Sequence, residues 1–232
     1  MRRIALVTGG NKGIGLETTR LLVAKGYEVV VVARDFSGSV ALPEGVRKVV
    51  FDLTDVEGIP ALAAKIGGVD ALVNNAGVMN SLPFDQYPLE AARRLMRLNL
   101  ETPIALITAV APGMIERGGG RIVNTSSLAA HTGHPDVWYG ASKAALLNVT
   151  KSFAKLLGPR GVVVNTVAPG PVETDMLAVI PEPRKQSVKQ STNTGRFAMA
   201  REIAETIVWL LAECPVYING ACIDVNDGVY PR

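Results

Sequence analysis

Short runs of β-branched and other apolar residues alternate along this chain with segments of helical periodicity. The runs predict strands at residues 4–7, 28–33, 46–51, 71–73, 121–124, 162–167 and 221–225. The helical patterns lie at 14–26, 57–66, 88–116, 137–157 and 201–212. Repeated strand–helix–strand units predict an α/β fold, a doubly wound parallel sheet of about seven strands with helices on both faces.

Three segments depart from this alternation. The crossover at 34–45 is too broken by Gly and Pro to form a full helix, and Pro103 is expected to kink the pattern at 88–116. Residues from about 171 to 200 have weak periodicity and are expected to form a lid over a substrate site. We find no linker, repeat or low-complexity segment, so residues 1–232 are expected to form a single domain.

Composition and charge exclude several classes of function. Hydrophobic residues make up 48% of the chain and charged residues 19%, which argues against disorder. The net charge of +3 is dispersed without a dense basic run, so no nucleic-acid partner is expected. No uninterrupted apolar stretch approaches membrane-spanning length, and the N-terminal run is too short for a signal peptide. We therefore expect no membrane partner and a cytoplasmic location.

The cysteines and histidines predict no metal site. Cys214 and Cys222 are expected in the last strand region, as buried thiols without partners in a reducing cytosol. His131 and His134 are expected to be ordinary loop residues, because no third ligand accompanies them at metal-binding spacing.

Several distinctive segments follow the predicted strands, at the sheet edge where such folds bind ligands. They are TGGNKGIG at 8–15, NNAG at 74–77, TSS at 125–127 and APGPVET at 168–174. The glycine-rich segment opens a helix, so its amides and the helix dipole can hold a pyrophosphate. Its spacing is G-x-x-x-G-x-G rather than G-x-G-x-x-G, and an ordinary tight turn is the alternative interpretation.

Tyr139 and Lys143 form a second candidate site. At positions i and i+4 they share one face of the predicted helix 137–157. Ser127 ends a strand twelve residues before Tyr139, so the three side chains can converge at one edge of the sheet. Taken alone, a Tyr/Lys pair at this spacing is also common on surface helices.

Taken together, these motifs resemble the short-chain dehydrogenase/reductase family in order and approximate spacing. The residues that carry the resemblance are Thr8-Gly9-x-x-x-Gly13-x-Gly15, Asn74-Asn75-Ala76-Gly77, Asn99, Ser127, Tyr139-x-x-x-Lys143, Pro169-Gly170 and Thr174. The resemblance spans residues 4 to about 228. It implies a Rossmann-type sheet, a nicotinamide cofactor, and an oxidoreductase that interconverts a secondary alcohol and a ketone or aldehyde by hydride transfer.

The resemblance also implies catalytic roles for Asn99, Ser127, Tyr139 and Lys143. Tyr139 is expected to act as general acid/base, with its pKa lowered from about 10 by the ammonium of Lys143. Lys143 is further implied to bind the nicotinamide ribose, and Asn99 to hold a water that relays protons. Ser127 is expected to hydrogen-bond the substrate oxygen, although Ser126 competes with it for this role. Substrate contacts are expected from Ser127, His134 and Tyr139.

Cofactor contacts are implied along the whole ligand edge of the sheet, and we expect NADP(H) to be preferred, with NAD(H) possible. The implied residues are Gly9, Asn11, Lys12, Gly13, Ile14, Gly15, Arg34, Asp52, Leu53, Asn75, Ala76, Gly77, Tyr139, Lys143, Pro169, Gly170, Val172 and Thr174. Arg34 and Lys12 favour a 2′-phosphate, since Ala33 stands where an NAD enzyme carries an acid. Asp35 could instead bind a 2′-hydroxyl after a one-residue shift. For Asp52, a helix cap or turn is the alternative role.

The lid mixes apolar residues with cations, which suits a partly apolar carbonyl compound with an acidic tail. Its apolar residues are Met176, Leu177, Val179 and Ile180, and its cations are Arg184, Lys185 and Lys189. This resembles 3-oxoacyl-carrier-protein reductases and carbonyl reductases. A sugar or hydroxysteroid dehydrogenase, an isomerase and a non-catalytic dinucleotide sensor remain as alternatives. The long helices and the family resemblance imply a homodimer or homotetramer.

Overall fold

The β-branched runs form one seven-stranded sheet in which all neighbouring strands are parallel. The computed structural model describes residues 3–38, 40–178 and 180–231. The strands are β1 (Ile4–Thr8), β2 (Glu28–Ala33), β3 (Arg47–Val50), β4 (Ala71–Asn74), β5 (Gly120–Thr125), β6 (Val162–Pro169), β7 (Val172–Glu173), β8 (Ala198–Met199) and β9 (Cys222–Val225). The order β3-β2-β1-β4-β5-β6-β9 reverses direction between β1 and β4, while β7 and β8 form a separate pair. That reversal is where doubly wound sheets open a ligand crevice.

Helices connect the strands and cover both faces of the sheet. They are α1 (Gly13–Ala24), α2 (Ile59–Ile66), α3 (Leu89–Met96), α4 (Thr102–Glu116), α5 (Ala129–Thr132), α6 (Val137–Leu157), α7 (Asp175–Ala178), α8 (Glu182–Gln190) and α9 (Ala200–Ala212). Within 34–38 and 40–45, the described part of the first crossover, there is no helix, as the broken pattern predicts. The described part of the predicted lid contains four short elements, β7, α7, α8 and β8.

Two apolar cores lie on opposite faces of the sheet, because successive residues of a strand point to opposite sides. On one face, Leu6 packs with residues of α2, α4 and the end of α6. On the other face, Val7 packs with Leu22 of α1 and Ile207 of α9. The predicted doubly wound sheet with helices on both faces is confirmed.

A single π turn, Arg97–Glu101, joins α3 to α4. Pro103 lies in the first turn of α4, directly after the π turn. The irregularity predicted at Pro103 is therefore present, and it takes the form of a π turn just before the proline.

The chain from Leu89 to Glu116 is helical throughout, as the pattern at 88–116 predicts. By length and composition alone it could cross a membrane, with a mean hydropathy of 1.4 over its most apolar 18 residues. Leu106, Ile107 and Met114 are fully buried against the sheet, which accounts for the apolar composition.

The positions of the cysteines differ from expectation. Cys214 is buried just after α9, and only Cys222, which is half buried, lies in β9. Within this chain, α6 is buried on one side only. One face, which carries Leu146 and Thr150, is buried, whereas Leu156 on the other side is exposed.

Candidate active site

The turn from β1 into α1 has the backbone of an anion-binding loop. Gly9 and Gly13 both have positive φ angles, +64° and +53°. A Cβ atom on Gly15 would lie 2.2 Å from the carbonyl oxygen of Gly9, so no larger residue fits there. Among the described residues, no side chain caps the start of α1 at Lys12. The first amides of this helix can therefore bind a pyrophosphate.

The NNAG segment holds this loop in place. The Thr8 hydroxyl accepts hydrogen bonds from the amides of Asn75 (2.9 Å) and Ala76 (3.0 Å). The Asn75 side chain donates to the carbonyl oxygens of Thr8 (3.1 Å) and Gly9 (3.4 Å). Asn75 thus contacts the loop backbone through its side chain and fixes its position relative to β4.

The APGPVET segment lies beside the same loop. A Cβ atom on Gly13 would lie 3.3 Å from Cγ2 of Thr174, so the two approach closely. Val172 is buried, and the amide of Gly170 donates to the carbonyl of Val225. Pro169 accepts a hydrogen bond from the amide of Leu128, which joins the ends of β5 and β6.

At the end of β2, Arg34 is exposed, while the carboxylate of Asp35 is hydrogen-bonded within its own turn. Asp35 accepts hydrogen bonds from the amide (2.7 Å) and the hydroxyl of Ser37, and these bonds hold its pKa below the usual value. Asn11 donates from Nδ2 to the carbonyl of Asp35 at 2.9 Å. Lys12 forms an exposed ion pair with Asp175 at the start of α7, at 3.1 Å.

Asp52 occupies a turn after β3. Its carboxylate accepts hydrogen bonds from the amide (3.0 Å) and hydroxyl (2.8 Å) of Thr54 and pairs with Arg94 at 3.2 Å. Burial pushes its pKa up, but these bonds and the charges of Arg94 and Arg34 outweigh burial and lower it. Leu53 is buried in the core, so only its main chain could contact a ligand.

Tyr139 and Lys143 are buried one turn apart near the start of α6. Lys143 Nζ lies 5.8 Å from the centre of the Tyr139 ring and donates to the carbonyl of Thr125 at 2.7 Å. Burial lowers the pKa of Lys143 to about 8. The ammonium and the phenol thus share a buried site next to the end of β5.

The expectation that Lys143 lowers the pKa of Tyr139 is wrong. Burial raises this pKa, the hydroxyl of Ser127 lowers it, and the charge of Asp136 raises it further. The net shift is upward because Tyr139 is buried, and the Lys143 ammonium donates to a carbonyl instead of the phenol. Tyr139 is therefore protonated at neutral pH.

The two serines after β5 have different partners. Ser126 is buried and its hydroxyl donates to the main-chain carbonyl of Lys143 at 2.8 Å, which ties β5 to α6. The hydroxyl of Ser127 lowers the pKa of Tyr139, and its Oγ accepts from the amide of Ala129 at 3.2 Å. Of the two hydroxyls, that of Ser127 faces the phenol.

Asn99 lies in the π turn, with its side chain held by the segment after β4. Its Oδ1 accepts from the amide of Val78 and its Nδ2 donates to the carbonyl of Val78, both at 2.9 Å. Nδ2 also lies 3.2 Å from the hydroxyl of Ser142. A Cβ atom on Gly77 would lie 3.3 Å from Asn99 Oδ1 and 3.4 Å from Lys143 Nζ, so Gly77 adjoins both groups.

His134 lies beside Tyr139. Its ring packs edge-on against Tyr139, with ring centres 5.2 Å apart. Burial, followed by the charge of Arg184 on α8, lowers its pKa, so the ring is neutral at pH 7. Arg184 therefore approaches the site from the predicted lid.

His131 is not an ordinary loop residue, which corrects the expectation for it and for Cys222. Its ring stacks on Tyr230, and its Nε2 lies close to Cys222 Sγ and Asp224 Oδ1. The sequence gives no sign of this cluster because 91 residues separate His131 from Cys222.

Asp136 is a buried residue that the sequence analysis missed. It caps α6, with one oxygen accepting from the amide of Tyr139 at 3.0 Å. The other oxygen accepts from the amides of Asn80 (2.9 Å) and Ser81 (3.0 Å). An aspartate directly before a long helical pattern is a capping signal that could have identified it.

Comparison with known proteins identifies the family. The family model described as short chain dehydrogenase matches residues 3–185. The 3-oxoacyl-(acyl-carrier-protein) reductase FabG of Vibrio harveyi is 35% identical over 237 residues, covering 98% of this chain and 97% of that protein. The protein of the same name from Aquifex aeolicus is 36% identical over 241 residues, covering 98% of this chain and 97% of that protein.

A solved structure with the same fold supports this assignment. A provisionally named NAD(P)-dependent gluconate 5-dehydrogenase from Beutenbergia cavernae, with NADP bound at low occupancy, superposes with a TM-score of 0.91. It is 29% identical, and the match covers 98% of this chain and 96% of that one. The protein is therefore an NAD(P)-dependent oxidoreductase that acts on CH–OH or carbonyl groups, and it belongs to the short-chain dehydrogenase/reductase family.

Proposed function

We propose that the protein reduces a ketone or aldehyde to a secondary alcohol with NADPH, with Tyr139 as general acid. One observation carries the proposal: the phenol of Tyr139 is buried, its pKa is raised so that it is protonated at neutral pH, and the hydroxyl of Ser127 acts on it. A buried acid next to a second hydroxyl is suited to protonate an oxygen on which negative charge develops.

Each residue of the site has a separate role in this reaction. The nicotinamide, when bound, supplies a hydride to the carbonyl carbon. Ser127 donates a hydrogen bond to the carbonyl oxygen, and Tyr139 transfers its phenolic proton to that oxygen as the hydride arrives. Lys143, cationic below about pH 8, would bind the ribose of the nicotinamide beside the Tyr139 ring. Asn99 orders the segment at Gly77 beside this ammonium, and reversal of each step oxidises the alcohol.

Two features at the end of β2 support a preference for NADPH. Arg34 is exposed and available to pair with a 2′-phosphate. The Asp35 carboxylate, which could have accepted a 2′-hydroxyl, is engaged by Ser37. NADP is also the cofactor bound in the neighbouring structure from Beutenbergia cavernae.

We further propose a β-oxoacyl thioester or a related aliphatic ketone as substrate. Tyr139 belongs to an apolar cluster with Met79, Leu95 and Ala129, against which Ile180 of the lid packs. Arg184 lies on the same side and can pair with an acidic tail of the substrate. Val179, a further predicted lid residue, lies outside the described residues. The names of the relatives from Vibrio harveyi and Aquifex aeolicus point to the same substrate class.

The remaining expectations stay proposals. We propose one domain with a substrate lid at about 171–200, a homodimer or homotetramer, and a cytoplasmic location. Leu89 and Trp138 support the assembly, because both are apolar side chains exposed on neighbouring helices α3 and α6. A second chain packed on this surface would remove them from water.

NADPH oxidation with acetoacetyl thioesters, simple ketones and sugar acids tests the proposal. We expect turnover with the thioester, lowered about 100-fold or more by Tyr139→Phe, since the phenol is the only proton donor proposed. Tyr217→Phe is the matched control, because Tyr217 is 99% exposed. NADPH binding, followed by its fluorescence, should persist in both variants. Unchanged turnover in Tyr139→Phe would overturn the proposed mechanism. Turnover with sugar acids alone would overturn the proposed substrate class.

A further inference from the structure

His131, Cys222 and Asp224 bring three different ligand atoms together at the edge of the sheet. The Sγ atom of Cys222 lies 3.9 Å from Nε2 of His131 and 3.7 Å from Oδ1 of Asp224. Nε2 of His131 and Oδ1 of Asp224 are 3.5 Å apart. These three atoms form a nearly equilateral triangle, and all belong to side chain types that bind metal ions.

The local structure explains why the three atoms meet. Cys222 and Asp224 are residues i and i+2 of β9, so their side chains leave the strand on the same face. His131 comes from α5, and its ring is stacked on Tyr230 with ring centres 5.6 Å apart and planes within 7°. The side chains of His131 and Asp224 are only 10% and 20% exposed, so the triangle is largely shielded from water.

The size of the triangle matches one face of a tetrahedral zinc site. Zinc binds sulfur at about 2.3 Å and nitrogen or oxygen at about 2.0 Å, which places ligands about 3.3–3.6 Å apart. The observed separations of 3.5 to 3.9 Å exceed these values only slightly. One ion at the centre could therefore contact all three atoms after small side-chain shifts.

The same geometry argues against a nucleophilic Cys–His–Asp relay. In such a relay, the cysteine and the aspartate contact different nitrogens of the imidazole. Here Nε2 of His131 faces both Cys222 and Asp224. Three atoms that converge on one point fit a shared ligand better than a chain of proton transfers.

We propose that His131, Cys222 and Asp224 bind one zinc ion and leave its fourth position to water. A mixed nitrogen, sulfur and oxygen set suits zinc, whereas calcium and magnesium prefer oxygen alone. The ion would tie α5, which begins two residues after Ser127, to the edge strand β9. It stabilises the fold there and takes no part in the proposed reduction.

Binding of Zn²⁺ and Co²⁺ to chelator-treated protein tests this site. We expect one zinc per chain in equilibrium dialysis, and a near-ultraviolet thiolate-to-cobalt absorption band when cobalt is used as the probe. Zinc should also raise the melting temperature of the wild-type protein, because a ligand that binds only the folded state stabilises it. Binding should weaken as pH falls, since the thiol must lose its proton.

Matched variants locate the site. Cys222→Ser should abolish the cobalt band and the zinc-dependent rise in melting temperature, and His131→Gln and Asp224→Asn should weaken zinc binding. Cys214→Ala removes the other thiol of the chain and should retain all signals. NADPH binding checks that each variant is folded. Failure of the wild-type protein to bind zinc stoichiometrically, a band that persists in Cys222→Ser, or a band lost in Cys214→Ala would each overturn the proposal.

Discussion

Arg34 and Lys12 are the side chains on which the proposed preference for NADPH depends. Arg34→Asp combined with Lys12→Ser should shift preference from NADPH towards NADH, since a carboxylate repels the 2′-phosphate and can accept a 2′-hydroxyl. The measurement is the ratio of kcat/KM for the two cofactors. We expect the ratio to fall at least about 10-fold, equivalent to about 1.4 kcal/mol.

The two single variants separate the contributions of these cations. Lys12 is paired with Asp175, so Lys12→Ser alone should have a smaller effect than Arg34→Asp alone. Lys25→Ser, which removes an exposed lysine at the far end of α1, is the control. An unchanged cofactor ratio in the double variant would contradict the role assigned to both residues.

Single residues also show which properties a sequence can predict. The i, i+4 spacing of Tyr139 and Lys143 is enough by itself to place both on one face of a helix. The direction of the Tyr139 pKa could not be predicted, because it depends on how fully the surrounding chain buries the phenol. The cluster at His131 could not be predicted either, since its members are distant in sequence and meet only in the folded sheet.

At the scale of elements, the strands and long helices were predictable because each buries a periodic apolar pattern. The π turn before Pro103 was not, since it depends on how Asn99 bonds to the segment after β4. The capping of α6 is a second case. Asp136 joins the start of this helix to the segment at Asn80, and that link depends on tertiary structure.

Replacing Asp136 should change both stability and the pH profile of the reaction. Asp136→Ala removes a helix cap and leaves buried amides unpaired, which should cost about 2–4 kcal/mol in the free energy of unfolding. Asp136→Asn keeps part of the cap and should cost less. Both variants remove a charge that raises the pKa of Tyr139, so the alkaline limb of the rate profile should move to lower pH.

Denaturant unfolding and pH–rate profiles distinguish these two effects. If Asp136 had only a structural role, the two variants would differ in stability but share the wild-type pH profile. Asp85→Ala is the control, because Asp85 is an exposed aspartate five residues after Asn80. It should alter neither the free energy of unfolding nor the position of the alkaline limb.

For the whole molecule, the same buried groups that support the reaction reduce the stability of the fold. Burial lowers the pKa of Lys143 from 10.5 to about 8, so the unfolded chain holds this proton more tightly than the folded protein does. Stability should therefore rise with pH between about 8 and 10.5. Below pH 8 the charged lysine costs the fold about 3 kcal/mol relative to a neutral one.

Lys143→Met should accordingly raise the melting temperature at pH 7 while it removes activity. It takes away the buried charge, although it leaves the Thr125 carbonyl without its donor, so we expect a net gain of about 1–2 kcal/mol. The gain should shrink as pH rises from about 8 towards 10.5, because the folded wild-type lysine is then neutral while the unfolded chain still binds the proton. Lys155→Met, at an exposed position of the same helix, should show no such dependence. If the difference in stability between Lys143→Met and the wild-type protein did not depend on pH, Lys143 would not be a buried charged group.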